Sequence, residues 1–371
     1  MIEWYEYPVE SHVVQTADGY LLTMHRIPHG RAEGSGPAPG KPVAFLQHGL
    51  LGSSADWVVI GPERALAYLL ADADYDVWLG NVRGNTYSRA HKTLDPDREP
   101  DREEFWNFSW HEIGVFDLPA MIDYTLGQTN QNKLSYVGHS QGTTTLFVML
   151  SLCPEYNDVI KSAHALAPVA YCEHLKSPFI RAVAPFVDAI DLITILLGIN
   201  EFAPSTQMMQ MGGELVCRDE SPVQEVCSNA LFLIAGYDSE QLNRSQLSAI
   251  MHNSPAGAAT RQLLHYAQLI NSGQFCQFDH GPIGNMEKYG STDPPNYPLS
   301  QITAPIALHY GANDWLAEVV DVEHLRDQLG SLIGTFRVPL DSFNHIDFQY
   351  AIDIIELVYD NLIILIKTYN N

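Results

Sequence analysis

Leu134-Ser135-Tyr136-Val137-Gly138-His139-Ser140-Gln141-Gly142-Thr143 reads as a short apolar strand, a tight turn carrying one serine, and the start of a helix. The Gly-x-Ser-x-Gly pattern is that of a nucleophile elbow, a strand-to-helix turn sharp enough to present the serine hydroxyl at the top of a sheet. A Cβ two residues before or after the serine would collide with strand or helix, and Gly138 and Gly142 remove those atoms. Glycine and serine are common, so the pattern alone also fits a structural turn. Here it sits between a β-rich run and the helix-compatible stretch 143–152, which is the context such an elbow requires.

Outward from the elbow, strand and helix patterns alternate. Runs at 10–16 and 20–27 flank Ala17-Asp18-Gly19 and predict a hairpin. A Gly- and Pro-rich loop over 28–41 leads to an apolar strand at 42–47, which ends at His48-Gly49-Leu50-Leu51. A helix is expected at 65–73, a strand at 75–80 and a helix at 117–126. Apolar runs with little alternation suit a parallel sheet covered on both faces. The order therefore predicts a doubly wound α/β sheet. A strand at 163–170 follows the elbow helix. The pattern then stops from about 171 to 298, where helical segments, prolines and two cysteines dominate. It resumes with a strand at 306–311, a helix at 319–328, a strand at 334–339 and a last helix at 346–367. Three parts follow: a core from 1 to 170, a largely helical insertion from 171 to 298, and a second core part from 299 to 371. Ligands of such sheets bind at the carboxyl edge of the strands, so the insertion would cap the site.

Composition excludes several functions. The 371 residues are 46% hydrophobic, which describes a globular chain able to bury a sizeable core. With 20 Lys+Arg against 44 Asp+Glu, the net charge of −24 opposes binding to nucleic acid or anionic lipid. No uncharged apolar run reaches the roughly 18 residues of a membrane span; the most apolar stretches, 189–202 and 351–366, carry Asp and Glu. Met1-Ile2-Glu3-Trp4-Tyr5-Glu6 lacks the basic and apolar regions of a signal peptide, so the protein is expected to be cytosolic or to have lost such a peptide. Of Cys153, Cys172, Cys217, Cys227 and Cys276, at least one is free or pairs outside the chain. A Cys217–Cys227 disulfide would contribute about 2–4 kcal/mol and imply an oxidising compartment; the alternative is two unrelated thiols. No spacing resembles a zinc site, and no metal or cofactor is expected.

A serine hydroxyl needs a base, and the base needs an orienting acid. In sheets of this kind the three follow in the order Ser, acid, His, each on a loop after a strand. Asp314 follows the strand at 306–311, and His345 follows the last strand. The competing His324, Glu318 and Asp321 sit on or beside the 319–328 helix, and His324 reads as a surface residue. Acyl transfer also needs donors for the tetrahedral oxyanion. Those expected are the backbone N–H groups of Gln141, next to the serine, and Leu50, in the loop after the early strand. His48 reads as structural.

With these residues in place, the chain resembles the acid lipases, the gastric and lysosomal enzymes with their insect relatives. The matching segments include Leu46-Gln47-His48-Gly49-Leu50-Leu51, Arg83-Gly84-Asn85-Thr86, Gly138-His139-Ser140-Gln141-Gly142-Thr143, Asn313-Asp314-Trp315-Leu316-Ala317 and Asn344-His345-Ile346-Asp347-Phe348. The resemblance covers nearly the whole chain. It implies an α/β-hydrolase fold with a helical cap and a lid at about 202–235, a triad of Ser140, Asp314 and His345, and oxyanion donors at Leu50 and Gln141. It also implies a Cys217–Cys227 disulfide, a secreted or lysosomal location, and hydrolysis of triacylglycerols or cholesteryl esters, often in acid. The cap departs from the pattern: 179–201 matches poorly, and Ala235 stands where mammalian relatives often carry cysteine. Asn243-Arg244-Ser245 is a glycosylation sequon shared with relatives, whereas Asn107, among Trp106, Phe108 and Trp110, reads as buried or unused.

The expected activity is hydrolysis of lipid esters at a lipid–water interface by a monomer or weak dimer. Phe179, Ile180, Val183, Phe186, Ile190, Ile193, Leu196 and Leu197 would line an acyl pocket or face lipid, or serve as ordinary cap core. Two alternatives remain at this level: an esterase for short or soluble esters, and a silent lipid-binding protein on the same fold.

Overall fold

The computed structural model describes residues 1–187, 198–204, 217–218, 221 and 224–370. Its centre is an eight-stranded sheet in the order β1-β2-β4-β3-β5-β6-β9-β10. The strands are β1 (Glu10–Gln15), β2 (Leu21–Ile27), β3 (Val43–Gln47), β4 (Asp76–Leu79), β5 (Leu134–His139), β6 (Ile160–Leu166), β9 (Ile306–Tyr310) and β10 (Leu332–Arg337); β7 (Glu201–Phe202) and β8 (Ala258–Ala259) form a separate small ribbon. β2 pairs antiparallel with both β1 and β4; β4, β3, β5, β6, β9 and β10 are mutually parallel. Every residue of β3, β4 and β5 is buried, the signature of central strands covered by helices on both faces. The helices Leu66–Asp72, Leu118–Thr129, Gln141–Leu152 and Val319–Gln328 supply the crossovers. This is an α/β-hydrolase fold. Between Leu166 and Ile306 the described residues add no strand to the main sheet.

Two elements differ from the sequence reading. The strand expected at 163–170 runs from Ile160 to Leu166, because Ala167 turns to φ 50° and ends it. The last helix expected at 346–367 is broken. It forms Asp347–Tyr350, a wide turn at Ile355–Tyr359 and Asp360–Asn370. Ala351 is extended (ψ 146°) and bridges to Leu242, while Ile352 N–H donates to Gln241 O. Tertiary pairing there outweighs helix propensity. Ile190, Ile193, Leu196, Leu197 and much of the expected lid lie outside the described residues, as do the side chains of Phe179 and Val183; Ile180 is half-buried and Phe186 exposed.

A buried ion cluster ties the hairpin to the core. The Arg83 guanidinium is 1% exposed and reaches both carboxylates. Nη1 and Nη2 donate to Asp18 at 2.6 and 2.9 Å, and Nε donates to Asp117 at 2.7 Å. Arg83 also lies over the ring of Tyr20, 3.9 Å from its centroid. Removing the cation would strand the buried Asp117 carboxylate without a partner and leave the more exposed Asp18 unpaired beside it. Arg83→Met is expected to destabilise the fold by about 3–5 kcal/mol in denaturant unfolding.

Candidate active site

Ser140 stands at the end of β5 with φ 52° and ψ −120°, a conformation L-residues avoid. Close packing holds it there. A Cβ on Gly142 would lie 2.4 Å from Gln47 O, and one on Gly138 would lie 2.7 Å from the Gly142 backbone, so neither position admits a side chain. Ser140 N–H donates to Leu166 O at 3.0 Å, and Ser140 O accepts from Thr143 N–H at 2.8 Å and Thr143 Oγ1 at 2.7 Å. The turn is thus pinned to β6 behind and to the elbow helix ahead.

The structure brings Ser140, Asp314 and His345 together, although their sequence separation is up to 205 residues. His345 Nε2 lies 2.8 Å from Ser140 Oγ. His345 Nδ1 lies 2.9 Å from both oxygens of Asp314. A carboxylate can only accept, so Nδ1 carries the proton and Nε2 is left to accept from the serine. Asp314 Oδ1 also accepts from the N–H groups of Leu316 and Ala317, at 2.9 and 2.7 Å, which fixes the carboxylate before the imidazole. Asp314 and His345 are buried, whereas Ser140 is half-buried and reachable. His139 braces the imidazole from below: its Nε2–H donates to His345 O at 2.9 Å. Burial, with the neighbouring His345 adding to it, pushes the His139 pKa down to about 3, so it holds that bond as a neutral ring.

Leu50, in the loop after β3, and Gln141, the first residue of the elbow helix, flank the serine. A Cβ on Gly49 would sit 3.0 Å from Ser140 Cβ, so the 49–50 turn runs directly over the elbow. Among the described residues, neither the Leu50 nor the Gln141 backbone N–H has an internal acceptor. His48 is buried; its Nδ1–H donates to Gly49 O at 2.8 Å and its Nε2 accepts from Val82 N–H at 3.3 Å. Burial drops its pKa to about 4, and it holds the loop as a neutral ring. His324 is exposed and stacks on Tyr171, Glu318 caps the 319–328 helix, and Asp321 binds His174; none reaches the serine. Asn243 is half-buried, with its Oδ1 accepting from Ser245 N–H and Oγ. Asn107 is exposed, not buried: Trp106 and Phe108 turn inward and leave its carboxamide to accept from Arg261. Cys217 and Cys227 form a disulfide, and Cys153, Cys172 and Cys276 are free. Among the described residues, no cluster of His, Cys, Asp or Glu could hold a metal ion.

One brace was not foreseen from the sequence. Ala235 O accepts from both Trp315 N–H and His345 N–H, each at 3.3 Å. Gly236 O accepts from Asn344 Nδ2 at 2.9 Å, and Tyr237 O accepts from Asn313 Nδ2 at 2.8 Å. Three consecutive carbonyls therefore bind the acid loop and the histidine loop to each other. Gly236 has φ 112°, and a Cβ there would fall 2.1 Å from Asn313 O. The Ala-Gly-Tyr order was the available signal, a glycine after a helical run, but its partners lie more than 70 residues away.

The comparisons agree with this geometry. The α/β-hydrolase fold model matches residues 42–347, and the partial α/β-hydrolase lipase region matches residues 1–61. Lipase 3 of Drosophila melanogaster is 49% identical over 98% of this chain and 91% of its own length. Gastric triacylglycerol lipase of Bos taurus is 42% identical, covering 98% and 89%. The chain belongs to the acid lipase family. Membership makes it a hydrolase of esters. Another member, lysosomal acid lipase/cholesteryl ester hydrolase of Macaca fascicularis, is 39% identical over 100% of this chain and 90% of its own. Beyond the acid lipases, a solved structure of a candidate lipase from Sulfolobus solfataricus shares the fold alone, with a TM-score of 0.61 at 12% identity over 97% and 99% of the two chains.

Gly236→Ala is expected to displace both loops. A misplacement of about 1 Å at such a site costs on the order of 100-fold in rate. Steady-state ester hydrolysis should show that loss in kcat, with KM little changed.

Proposed function

We propose that this acid lipase hydrolyses carboxylic esters of neutral lipids through an acyl-enzyme on Ser140. The observation that carries the reading is the 2.8 Å contact of Ser140 Oγ with a His345 ring whose other nitrogen is fixed by Asp314. Ser140 Oγ attacks the ester carbonyl carbon while His345 Nε2 takes its proton. Asp314 keeps the Nδ1–H tautomer and stabilises the imidazolium that forms. The Leu50 and Gln141 N–H groups, free of internal partners, hold the oxyanion. His345 then gives its proton to the leaving alcohol oxygen, the carbonyl re-forms and the C–O bond breaks. Water, deprotonated by His345, attacks the acyl carbon; the carbonyl re-forms, the Ser140 Oγ–C bond breaks, and His345 returns the proton to Ser140 Oγ as the fatty acid leaves.

The substrate class rests on the relatives, two of which are named for triacylglycerol and cholesteryl ester. The stretch 171–298 would cap the carboxyl edge of the sheet, with a lid at about 202–235. Leu233 and Ile234 on the helix Gln224–Ala235, Tyr237 after it and Phe186 elsewhere in the 171–298 stretch are exposed large apolar side chains. Exposed apolar side chains of this size favour a lipid–water interface over a soluble ester. Among the described residues no helix is long and apolar enough to cross a membrane. The disulfide fits a secreted protein or a lysosomal lumen, with Asn243 as the glycosylation site and a monomer or weak dimer as the working form.

Ser140→Ala is expected to lower kcat by about 10⁴–10⁶-fold on an emulsified long-chain ester while leaving the far-UV spectrum intact. Wild-type enzyme should turn over that emulsion faster than a soluble short-chain ester. Retained hydrolysis in the variant would remove the mechanism, and the opposite substrate order would favour an esterase.

A further inference from the structure

Each oxyanion donor is one edge of a planar peptide whose other edge is a carbonyl. Leu50 N–H shares its peptide with Gly49 O, and Gln141 N–H shares its own with Ser140 O. In a trans peptide the two groups point in opposite directions, so whatever grips the carbonyl also aims the N–H. Ser140 O is gripped from the elbow helix, by Thr143 N–H at 2.8 Å and Thr143 Oγ1 at 2.7 Å. Gly49 lies in a loop. Its carbonyl accepts from Gly52 N–H at 3.1 Å, which closes a tight turn, and from His48 Nδ1–H at 2.8 Å. That turn carries Leu51 at φ 62°, a conformation that favours glycine and persists only under restraint from outside.

We infer that Asn85 and His48 form a relay that aims the Leu50 N–H into the oxyanion hole, Asn85 by fixing the His48 tautomer and His48 by gripping the Gly49 carbonyl. The inference rests on the acyl-transfer reading given above. Each residue acts through the Gly49–Leu50 peptide, so both are positioning residues. The bond to Gly49 O also polarises that peptide and strengthens its N–H as a donor.

The tautomer follows from the hydrogen bonds. His48 Nε2 faces two donors, Asn85 Nδ2 at 3.2 Å and Val82 N–H at 3.3 Å. It must accept, which leaves the ring proton on Nδ1, opposite Gly49 O. The Asn85 amide is held against turning over. Its Oδ1 accepts from Tyr87 N–H at 3.0 Å and Ser88 N–H at 3.1 Å, and its Nδ2 also donates to Asn81 Oδ1 at 3.0 Å. Asn81 is anchored in turn. Its Oδ1 accepts from Ser54 N–H at 2.8 Å, and its Nδ2 donates to Thr23 O at 2.9 Å and to Ser54 Oγ at 3.0 Å. His48, Asn81 and Asn85 are 2%, 0% and 1% exposed, so bulk water does not compete for these bonds. On the far side of the turn, Leu51 O accepts from Ala256 N–H at 2.7 Å, and Ala256 O accepts from Thr86 N–H, next to Asn85, at 2.8 Å. The 48–54 loop is thereby tied to 81–88 at several points, and rotating the Gly49–Leu50 peptide would break the His48 bond.

The experiment compares wild type, His48→Phe, His48→Asn and Asn85→Ala as full chains. It measures hydrolysis of a soluble nitrophenyl ester across neutral and mildly acidic pH, and inhibition by an alkyl trifluoromethyl ketone, whose serine hemiketal carries an oxyanion. Phenylalanine keeps a ring and loses the donor; asparagine keeps a donor near the Nδ1 position. In His48→Phe, kcat is expected to fall about 100-fold with KM close to wild type, as for loss of one oxyanion donor. The inhibition constant of the ketone should rise by the same factor. The midpoint of the acid limb of kcat/KM, set by His345, should stay that of wild type. His48→Asn is expected to recover about tenfold of the loss, and Asn85→Ala to lose about tenfold in kcat. Wild-type kcat and ketone affinity in His48→Phe overturn the relay. So does a loss that His48→Asn leaves unrecovered, or one that moves the His345 midpoint and so lies in the triad. Should Tm show that His48→Phe does not fold, Asn85→Ala decides, and wild-type kcat in it overturns the relay. A wild-type protein that hydrolyses no ester overturns the functional reading and the relay with it; an active wild type with unaffected variants overturns the relay alone.

Discussion

A single backbone residue in an unfavourable conformation is what this structure is arranged to hold. Ser140 sits at φ 52° in a turn that strand β5 and the elbow helix compress from both sides. Such a conformation costs about 1–3 kcal/mol and persists only where packing over-determines it. The packing here is backbone on backbone, Gly142 against Gln47 and Gly138 against Gly142, with no side chain between. The central strands β3, β5 and β6 are buried because they form the anvil for this turn. The loops that bring Leu50, Asp314 and His345 to it all leave the same edge of the sheet.

The second constraint is that the acid and histidine loops belong to late strands yet must meet a serine from the middle of the chain. Parallel topology solves most of it, since β5, β6, β9 and β10 end on one side. The remainder is done by residues 235–238, which hydrogen-bond to both loops from outside the sheet. The segment that ends the helix Gln224–Ala235, which exposes Leu233 and Ile234, also hydrogen-bonds the His345 loop.

Much of the core was legible because its signals are local. Apolar runs without alternation marked β3, β4 and β5, and Asp18-Gly19 marked the hairpin. Ser140, Asp314 and His345 were found because the order of the three and the strand before each are properties of the chain itself. Features that depend on distant partners were not legible. Arg83 meets Asp18 and Asp117 across 65 and 34 residues, where any of 44 carboxylates could have served. The break at Ala351 arises from pairing with Leu242, and Asn107 is exposed because its aromatic neighbours turn inward.

The most direct measurement is covalent labelling by a long-chain alkyl phosphonate ester, followed by peptide mapping. The phosphonate phosphorus becomes a stable mimic of the tetrahedral intermediate once a serine oxygen displaces its leaving group. One equivalent of adduct on Ser140, abolished in His345→Ala, is the predicted result. An unmodified Ser140, or an adduct that forms equally well without the imidazole, would contradict the account.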